Sequence, residues 1–269
     1  MRTVDRIFLA VLTFAGLFIW LHDRTWLVSP GDSLPLLAAL PLLVWLVAPW
    51  SFAHSDFKAD RRSLAVAGVL FVAGLILGLN LLLALAWSAT LWSWLGRRLD
   101  APTRNRVSRL LPLAVLAFPW LTLDFPSLGW WYRLSGAWCA ELIFQTLGFA
   151  VHRAGTQLSV AQMPFDVTAA CSGIKALQAM LIAGTALCFL QVNGKHLFWI
   201  GLAFLPMVAW LANTMRVLVI VTATLSFGPE FAAGWFHYFS GWLVIVGTFG
   251  LVWLGLETLR RRLGTSNPT

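Results

Sequence analysis

The sequence predicts an all-α, polytopic membrane protein, and three observations predict it. Hydrophobic residues make up 59% of the 269 positions and charged residues only 11%, whereas an ordinary soluble domain carries about 25% charged residues. The apolar residues form long runs separated by basic or polar segments. The 16 tryptophans fit aromatic belts at headgroup depth. Because the charge deficit extends along the whole chain, we expect a single integral membrane domain over residues 1–269.

The N-terminal part, residues 7–95, is predicted to contain the first spans. Candidate spans cover Ile7–Leu21 and Leu34–Trp50. The next run, Leu64–Leu95, is too long for one span of about 20 residues. Glycines precede its polar midpoint, Asn80. We therefore expect a tight hairpin of two spans in this run.

The middle part, residues 96–171, is predicted to leave the bilayer more often than the rest. Gly96–Leu110 carries five arginines and is predicted to be a cytoplasmic loop, followed by a short span at Leu110–Leu123. Trp130–Val151 mixes charged residues with aromatics, which indicates an amphipathic helix that does not cross. His152–Asp166 is polar, contains glycine and proline, and alternates in a way typical of extended chain. We expect it to form an outer loop.

The C-terminal part, residues 171–260, is predicted to consist of helices that carry the candidate site. Spans are expected at Ser172–Leu190, at His196–Asn213 and at Trp235–Glu257. A further apolar piece, Val217–Phe227, is expected between the last two spans.

Basic residues set the predicted orientation. The net charge is +8, and the basic residues cluster between apolar segments. This placement indicates a membrane topology signal and not a surface that binds nucleic acid. The positive-inside rule places the N terminus, Lys58–Arg62, the five-arginine segment and Arg260–Arg262 in the cytoplasm. These assignments agree if the chain crosses about eight times and the amphipathic helix does not cross. Cys171, Arg216 and His237 then lie near the outer face.

The segment Thr-Ala-Ala-Cys-Ser-Gly-Ile-Lys contains the first candidate functional residue. Cys171 is predicted at the start of a helix, where the macrodipole and free N–H groups lower the pKa of a thiol. Lys175 adds positive potential, and Gly173 lets a substrate backbone approach closely. A lone membrane cysteine is usually a small packed residue, which fits Cys139 and Cys188 but not Cys171. The three cysteines form neither a disulfide framework nor a paired metal motif.

Two further polar residues interrupt apolar surroundings. Arg216 follows Asn213 by one helical turn, and a charge inside a membrane segment indicates a functional site. The alternative is that its guanidinium extends to the interface. His237 precedes the last apolar run and, taken alone, is an interfacial histidine in an aromatic belt. The three residues together suit acyl transfer. The thiolate of Cys171 would attack a carbonyl, the imidazole of His237 would move the proton, and the guanidinium of Arg216 would stabilise the oxyanion or orient the substrate.

Three motifs, Ala-Cys-Ser-Gly-Ile-Lys-Ala-Leu, Asn-Thr-Met-Arg and Phe-His-Tyr-Phe-Ser-Gly-Trp, resemble in this order the signature of the exosortase/archaeosortase family of membrane cysteine transpeptidases. The likeness covers about Leu64 to Arg260, and Ser108–Pro126 is similar to the family's segment of basic residues followed by proline. The cysteine motif is its most specific part. It carries Lys175 where the family often has arginine.

The resemblance implies a multi-pass enzyme of a bacterial or archaeal cytoplasmic membrane, with its active site on the outer or periplasmic face. It implies cleavage of a C-terminal sorting signal, which consists of a motif, a transmembrane helix and a basic tail, on exported proteins. Cys171 would carry a thioacyl intermediate, Arg216 would be the essential arginine, and His237 would transfer the proton. We expect support for the substrate or the oxyanion from four residues: Ser172, Gly173, Lys175 and Asn213.

The expected partners are the exported proteins and membrane lipid, without nucleic acid, metal or cofactor. Two other functions stay open at this point. A non-catalytic scaffold or assembly factor for exopolysaccharide or surface-protein export would not need Cys171, Arg216 and His237 on one face. A transporter that binds an anion at Arg216 would often show broken helices in matching halves, and the sequence contains no such repeat.

Overall fold

A computed structural model describes residues 3–28, 30–53, 60–167, 173–192 and 194–262. The chain divides into two compact units, Met1–Asp124 and Phe125–Thr269. The expectation of a single integral membrane domain stays a prediction.

All the named elements in the described part of the first unit are helices. Its elements are α1 (Thr3–Leu21), a short 3-10 helix (Thr25–Val28), α2 (Pro30–Val47), α3 (Arg61–Leu77), α4 (Asn80–Leu95), α5 (Ala101–Leu116) and α6 (Trp120–Asp124). The first two predicted spans correspond to α1 and α2, although α2 ends three residues earlier than expected.

The hairpin predicted within Leu64–Leu95 is confirmed as two helices, α3 and α4. Gly78 ends α3 in the left-handed conformation, with a φ of 65° that glycine adopts without strain. The two helices pack closely, because a methyl group at Gly74 would lie only 2.8 Å from Cδ2 of Leu83. The glycines before Asn80 therefore form the turn and the close contact.

Asp124 caps the N terminus of α4 from a distant point in the chain. Its Oδ1 accepts hydrogen bonds from the backbone N–H of Asn80 at 3.0 Å and from Asn80 Nδ2 at 2.8 Å. Its Oδ2 accepts from the backbone N–H of Leu81 at 2.7 Å. The first N–H groups of a helix have no partner within the helix, and a carboxylate is favourable at this positive end. Asp124 thus stabilises the start of α4.

The predicted cytoplasmic loop at Gly96–Leu110 is wrong in its extent, since the loop ends at Asp100 and α5 follows it. The Asp100 side chain accepts a hydrogen bond from the backbone N–H of Thr103 at 2.9 Å, and Pro102 occupies the first turn. Aspartate followed by proline is a helix start signal. Three of the five arginines therefore lie on α5, at positions 104, 106 and 109.

The short span predicted at Leu110–Leu123 is also wrong as a single helix. Helix α5 ends at Leu116, and α6 begins at Trp120 after a break. Pro119 occupies this break, and its ring leaves no N–H for a helical hydrogen bond.

The second unit contains helices and one small sheet. Its elements are α7 (Pro126–Thr146), β1 (Val151–Ala154), β2 (Gln157–Val160), β3 (Met163–Asp166), α8 (Ile174–Gln191), α9 (Lys195–Phe227), α10 (Pro229–Ala233) and α11 (Trp235–Arg262). The predicted all-α class is therefore corrected to mainly α with an antiparallel sheet. The alternation across His152–Asp166 forms the three strands, and the helix predicted at Trp130–Val151 ends earlier, at Thr146.

The sheet has the order β1-β2-β3 and one buried face. Ala161 and Gln162 connect β2 to β3 with φ values of 50° and 65°, as a two-residue hairpin turn with both φ angles positive requires. The buried face packs on α7 and α9 in one apolar cluster of Ala137, Ala140, Phe144, Val151, Leu158, Val160, Val167, Val217 and Val221. Arg153 Nε on β1 donates to Glu141 Oε2 on α7 at 2.6 Å. The sheet is thereby tied to the two helices.

Helix α9 corrects the prediction of a span that ends at Asn213 and a separate apolar piece at Val217–Phe227, because the helix runs without a break from Lys195 to Phe227. Asn213 and Arg216 lie within this helix and do not end it. Each of these side chains packs against another segment of the unit, Asn213 against Gly173 and Arg216 against Gly241. A methyl group at Gly184 of α8 would lie 2.5 Å from Cδ2 of Leu205, so α8 and α9 are in close contact.

Two helices in the described part of the chain are long and apolar enough to cross a membrane, His196–Phe227 and Trp235–Thr258. Shorter apolar helices cover Leu34–Val47, Asn80–Leu95 and Ala176–Gln191. The expected number of about eight crossings stays a prediction.

Replacing Asp124 by alanine is expected to destabilise the first unit. The change leaves the N–H groups of Asn80 and Leu81 without their acceptor, at a cost of about 1–3 kcal/mol. Loss of helical circular dichroism on heating in detergent measures the effect. Asp23→Ala is the matched control, because among the described residues the Asp23 carboxylate accepts hydrogen bonds from Thr25, two positions away, and not from a helix N terminus. Equal melting temperatures for the two variants would contradict the capping role.

Candidate functional site

The predicted site residues all belong to the second unit, but the structure describes only some of them. Cys171 and Ser172 lie outside the described residues. Lys175 lies in the first turn of α8, and its side chain is outside the described part. The candidates that the structure describes are Gly173, Asn213, Arg216 and His237.

Arg216 and His237 contact each other across α9 and α11. The Nη2 atom of Arg216 lies 3.3 Å from Nε2 of His237. Because a guanidinium only donates hydrogen bonds, this contact requires an unprotonated Nε2. The distance is longer than that of most protein hydrogen bonds, so the contact holds the lone pair of Nε2 only weakly. The basic nitrogen of the imidazole thus lies beside a permanent positive charge.

Gly241 is a site residue that the sequence reasoning missed. A methyl group at this position would lie 3.3 Å from both Cζ and Nε of Arg216. The guanidinium therefore rests against the bare backbone of α11. His237 and Gly241 are four residues apart, a spacing that places them on the same face of a helix. This spacing was the available signal, since a small residue one turn from a candidate histidine leaves room for a partner.

Gly173 and Asn213 form the second contact of the site. Gly173 precedes α8 with a φ of 71°, and a methyl group there would lie 2.7 Å from Cγ of Asn213 and 2.9 Å from its Oδ1. Asn213 lies one helical turn before Arg216 and is only 3% exposed. The Asn213 amide therefore packs against the backbone that directly follows Cys171 and Ser172.

Three buried polar atoms at this place have no hydrogen-bond partner among the described residues: Oδ1 and Nδ2 of Asn213 and Nε of Arg216. A buried polar group without a partner is costly, and such groups in native proteins mark strain, a catalytic role or an unseen ligand. Donors and an acceptor are thus available to the segment that precedes Gly173 or to a substrate.

A groove of about 340 Å³ adjoins the pair and is lined in part by His237. Its walls come from the end of β3, from α9 and from α10. The lining residues are Pro164, Phe165, Asp166, Val167, Val217, Ile220, Val221, Thr224, Pro229, Ala232 and His237. Most of them are apolar, which suits a peptide side chain more than a small ion.

The two described cysteines lie in different surroundings from the site. Cys188 is 1% exposed and packs with Val192 and Phe198. A methyl group at Gly201 would lie 3.0 Å from its Sγ, so this thiol fills space between α8 and α9. Cys139 lies on α7 and is half-buried. Across the described ranges, no group of three His, Cys, Asp or Glu side chains is arranged to hold a metal ion.

Replacing Gly173 by alanine is expected to destabilise the protein for two separate reasons. A left-handed backbone costs a residue with a Cβ about 1–2 kcal/mol, and the added methyl group also overlaps Asn213. Gly155→Ala is the matched control, because Gly155 has a similar φ of 66° and nothing within 4 Å of the added carbon. Thermal unfolding in detergent should show the larger loss for Gly173→Ala.

The difference between these two variants reports the contact with Asn213. Adding Asn213→Ala to Gly173→Ala should restore most of that difference, because the overlapping amide is then absent. If both glycine variants melt at the same temperature, the close packing of Gly173 on Asn213 is wrong.

A search of curated proteins and a search of solved structures gave no significant match. The profile of one protein family, described as transmembrane exosortase (Exosortase_EpsH), matches residues 4–254. This match covers nearly the whole chain, including both units and all the residues of the candidate site. The chain therefore belongs to the transmembrane exosortase family.

Proposed function

We propose that this exosortase is a membrane-embedded cysteine protease and transpeptidase that cleaves the C-terminal sorting signal of exported proteins. One observation carries the proposal: the guanidinium of Arg216 and the imidazole of His237 lie 3.3 Å apart, against the open backbone of Gly241. Asn213, one turn away, contacts the glycine that follows Cys171 and Ser172. Membership of the exosortase family and the apolar helices support a membrane location.

In the first step, the Cys171 thiol gives its proton to Nε2 of His237, and the thiolate attacks the scissile carbonyl carbon. The S–C bond forms as the carbonyl π electrons move to oxygen. The guanidinium of Arg216 stabilises this negative charge, which is the kind of electrostatic assistance that lowers acyl-transfer barriers most. The Asn213 amide, buried and without a partner among the described residues, is available to donate to the same oxygen.

In the second step, the tetrahedral intermediate collapses and the C–N bond breaks. The leaving amine takes the proton from the imidazolium of His237, and the substrate stays attached to Cys171 as a thioester. An incoming amine or water then attacks this thioester, gives a proton to His237, and releases the thiolate. The product is a transferred or a hydrolysed chain.

The proposal places this chemistry on the outer face of a bacterial or archaeal cytoplasmic membrane. The substrate would be anchored by its own transmembrane helix, with its basic tail in the cytoplasm and its motif near Cys171. A scaffold or assembly factor for export would need no buried amide, guanidinium and imidazole at one place, so the described contacts favour an enzyme.

Replacing Cys171 by alanine is expected to abolish processing of a co-expressed, exported reporter that carries a C-terminal motif, a hydrophobic helix and a basic tail from the same genome. The thiolate is the nucleophile, so no thioester forms without it. Immunoblotting of the reporter separates the precursor from the shortened product. Cys188→Ala is the matched control and should process normally, because Cys188 only packs. Unchanged processing in the Cys171→Ala strain would leave the scaffold as the better explanation.

Replacing Gly241 by alanine is expected to slow processing by about tenfold or more, because small displacements of a catalytic group are costly. The methyl group would push the Arg216 guanidinium away from His237. Gly247→Ala is the control on the same helix, since nothing lies within 4 Å of a methyl group at Gly247. Pulse-chase measurement of reporter processing compares the two variants. Equal rates would show that the position of the guanidinium does not matter.

A further inference from the structure

We propose that the substrate segment beside the scissile bond binds in extended form, as a fourth strand on the outer edge of β3, with side chains in the groove that His237 lines. This inference rests on the proposed function and describes its substrate more closely: an extended peptide with small or medium apolar side chains at the cleavage site.

Strand β3 is an edge strand, because the sheet order is β1-β2-β3 and β3 pairs only with β2 among the described strands. The backbone N–H of Val167 donates to the carbonyl of Thr156 at 3.2 Å, in the same register as the rest of the pair. Hydrogen bonding alternates along an antiparallel pair. Phe165 and Val167 therefore direct their backbone groups toward β2, whereas Pro164 and Asp166 direct theirs away from it.

The outer edge therefore presents the carbonyl of Pro164 and both the N–H and the carbonyl of Asp166. These groups are the ones with which a peptide pairs when it adds a strand to a sheet edge. Proline is tolerated on such an edge, because the N–H that it lacks would point outward and not into the ladder. The pattern of one donor between two acceptors matches the backbone of an extended peptide.

The groove begins at this same edge. Asp166 and Val167 form one wall, and Val217, Ile220 and Val221 of α9 lie among the other lining residues. Its volume of about 340 Å³ is near the lower end of the range for ligand pockets. The mostly apolar lining excludes large charged side chains, since they would lose their hydration without gaining a partner.

The groove is continuous with the candidate catalytic pair, because His237 is both a lining residue and the partner of Arg216. Along the chain, Asp166 comes five positions before Cys171. A peptide that pairs with β3 at Asp166 is therefore bound five residues along the chain from the proposed nucleophile. This continuity identifies the occupant as the substrate peptide and not as an unrelated partner.

A competing explanation concerns protection of the edge. Proline and charged side chains on edge strands prevent indiscriminate pairing with other chains, and Pro164 and Asp166 are residues of this kind. If protection is their only role, the backbone N–H of residue 166 has no part in substrate binding. The two explanations therefore differ in what happens when this N–H is removed.

The test compares Asp166→Pro with Asp166→Ala in the reporter assay. Proline removes the outward N–H and leaves the bonds of Phe165 and Val167 to β2, whereas alanine removes only the carboxylate. We expect processing to be about three- to tenfold slower for Asp166→Pro than for Asp166→Ala, the effect of one lost hydrogen bond. Because both variants lack the carboxylate, this difference reports the backbone N–H alone. Similar rates for both variants, with equal amounts of chain in the membrane, would overturn the proposal.

A second measurement reads binding without catalysis, in membranes that contain the Cys171→Ala chain and the uncleaved precursor. A benzophenone amino acid replaces Ile220 of α9, which lines the groove. In the control it replaces Gln157 of β2, whose side chain lies on the exposed face of the sheet. Irradiation should crosslink the precursor at position 220 and not at 157, and Asp166→Pro should weaken the crosslink. No crosslink at 220, or equal crosslinks at both positions, would overturn the proposal.

The two readouts separate this inference from the proposed function. If Cys171→Ala does not change processing but the precursor or its shortened product crosslinks at position 220, the thiol mechanism fails and the binding edge stands. If Cys171→Ala abolishes processing but no crosslink forms, the mechanism stands and the binding edge fails.

Discussion

The positive charge of Arg216 is the constraint around which the second unit is arranged. A guanidinium within a long apolar helix costs free energy unless neighbouring groups make room for it and interact with its charge. Helix α11 accommodates the guanidinium in two ways. The backbone of Gly241 lies against the guanidinium plane, and Nε2 of His237 contacts Nη2 of Arg216. The mutual position of α9 and α11 at this level follows from the charge. Any side chain larger than hydrogen at position 241 would compete with it for the same space.

The continuity of α9 transmits this arrangement to the rest of the unit. One turn from Arg216, Asn213 meets Gly173 at the start of α8, while Val217 and Val221 belong to the apolar cluster below the sheet. Three strands of four residues are marginal by themselves. They are held because α7 and α9 cover their buried face and because Glu141 binds Arg153. A helix without a break thus positions the glycine before α8, the cationic centre and the sheet edge together.

Local signals were sufficient for several elements and misleading for others. The glycines before Asn80 predicted the α3–α4 hairpin, and the alternation after His152 predicted extended chain. The five arginines of Gly96–Leu110 predict a loop, although Asp100 and Pro102 form a helix start within it. The break expected between Asn213 and Val217 is absent. The side chains of Asn213 and Arg216 pack against other segments of the unit, so the helix continues through both residues. Charge and polarity predict surroundings more directly than they predict backbone conformation.

The sequence by itself identified the residues that we propose to carry chemistry. Cys171, Arg216 and His237 are conspicuous because a bilayer-spanning chain has no packing reason to contain them in those surroundings. The tertiary structure alone decided that Arg216 lies beside His237, that Gly241 makes room for it, and that a groove joins His237 to the edge of β3. These contacts join positions far apart in the chain, and they depend on how the helices cross, which no local pattern encodes. The physical reason is that a polar residue in an apolar segment can be recognised from its neighbours in the sequence. Contacts such as that of Arg216 with His237 form only when the helices pack.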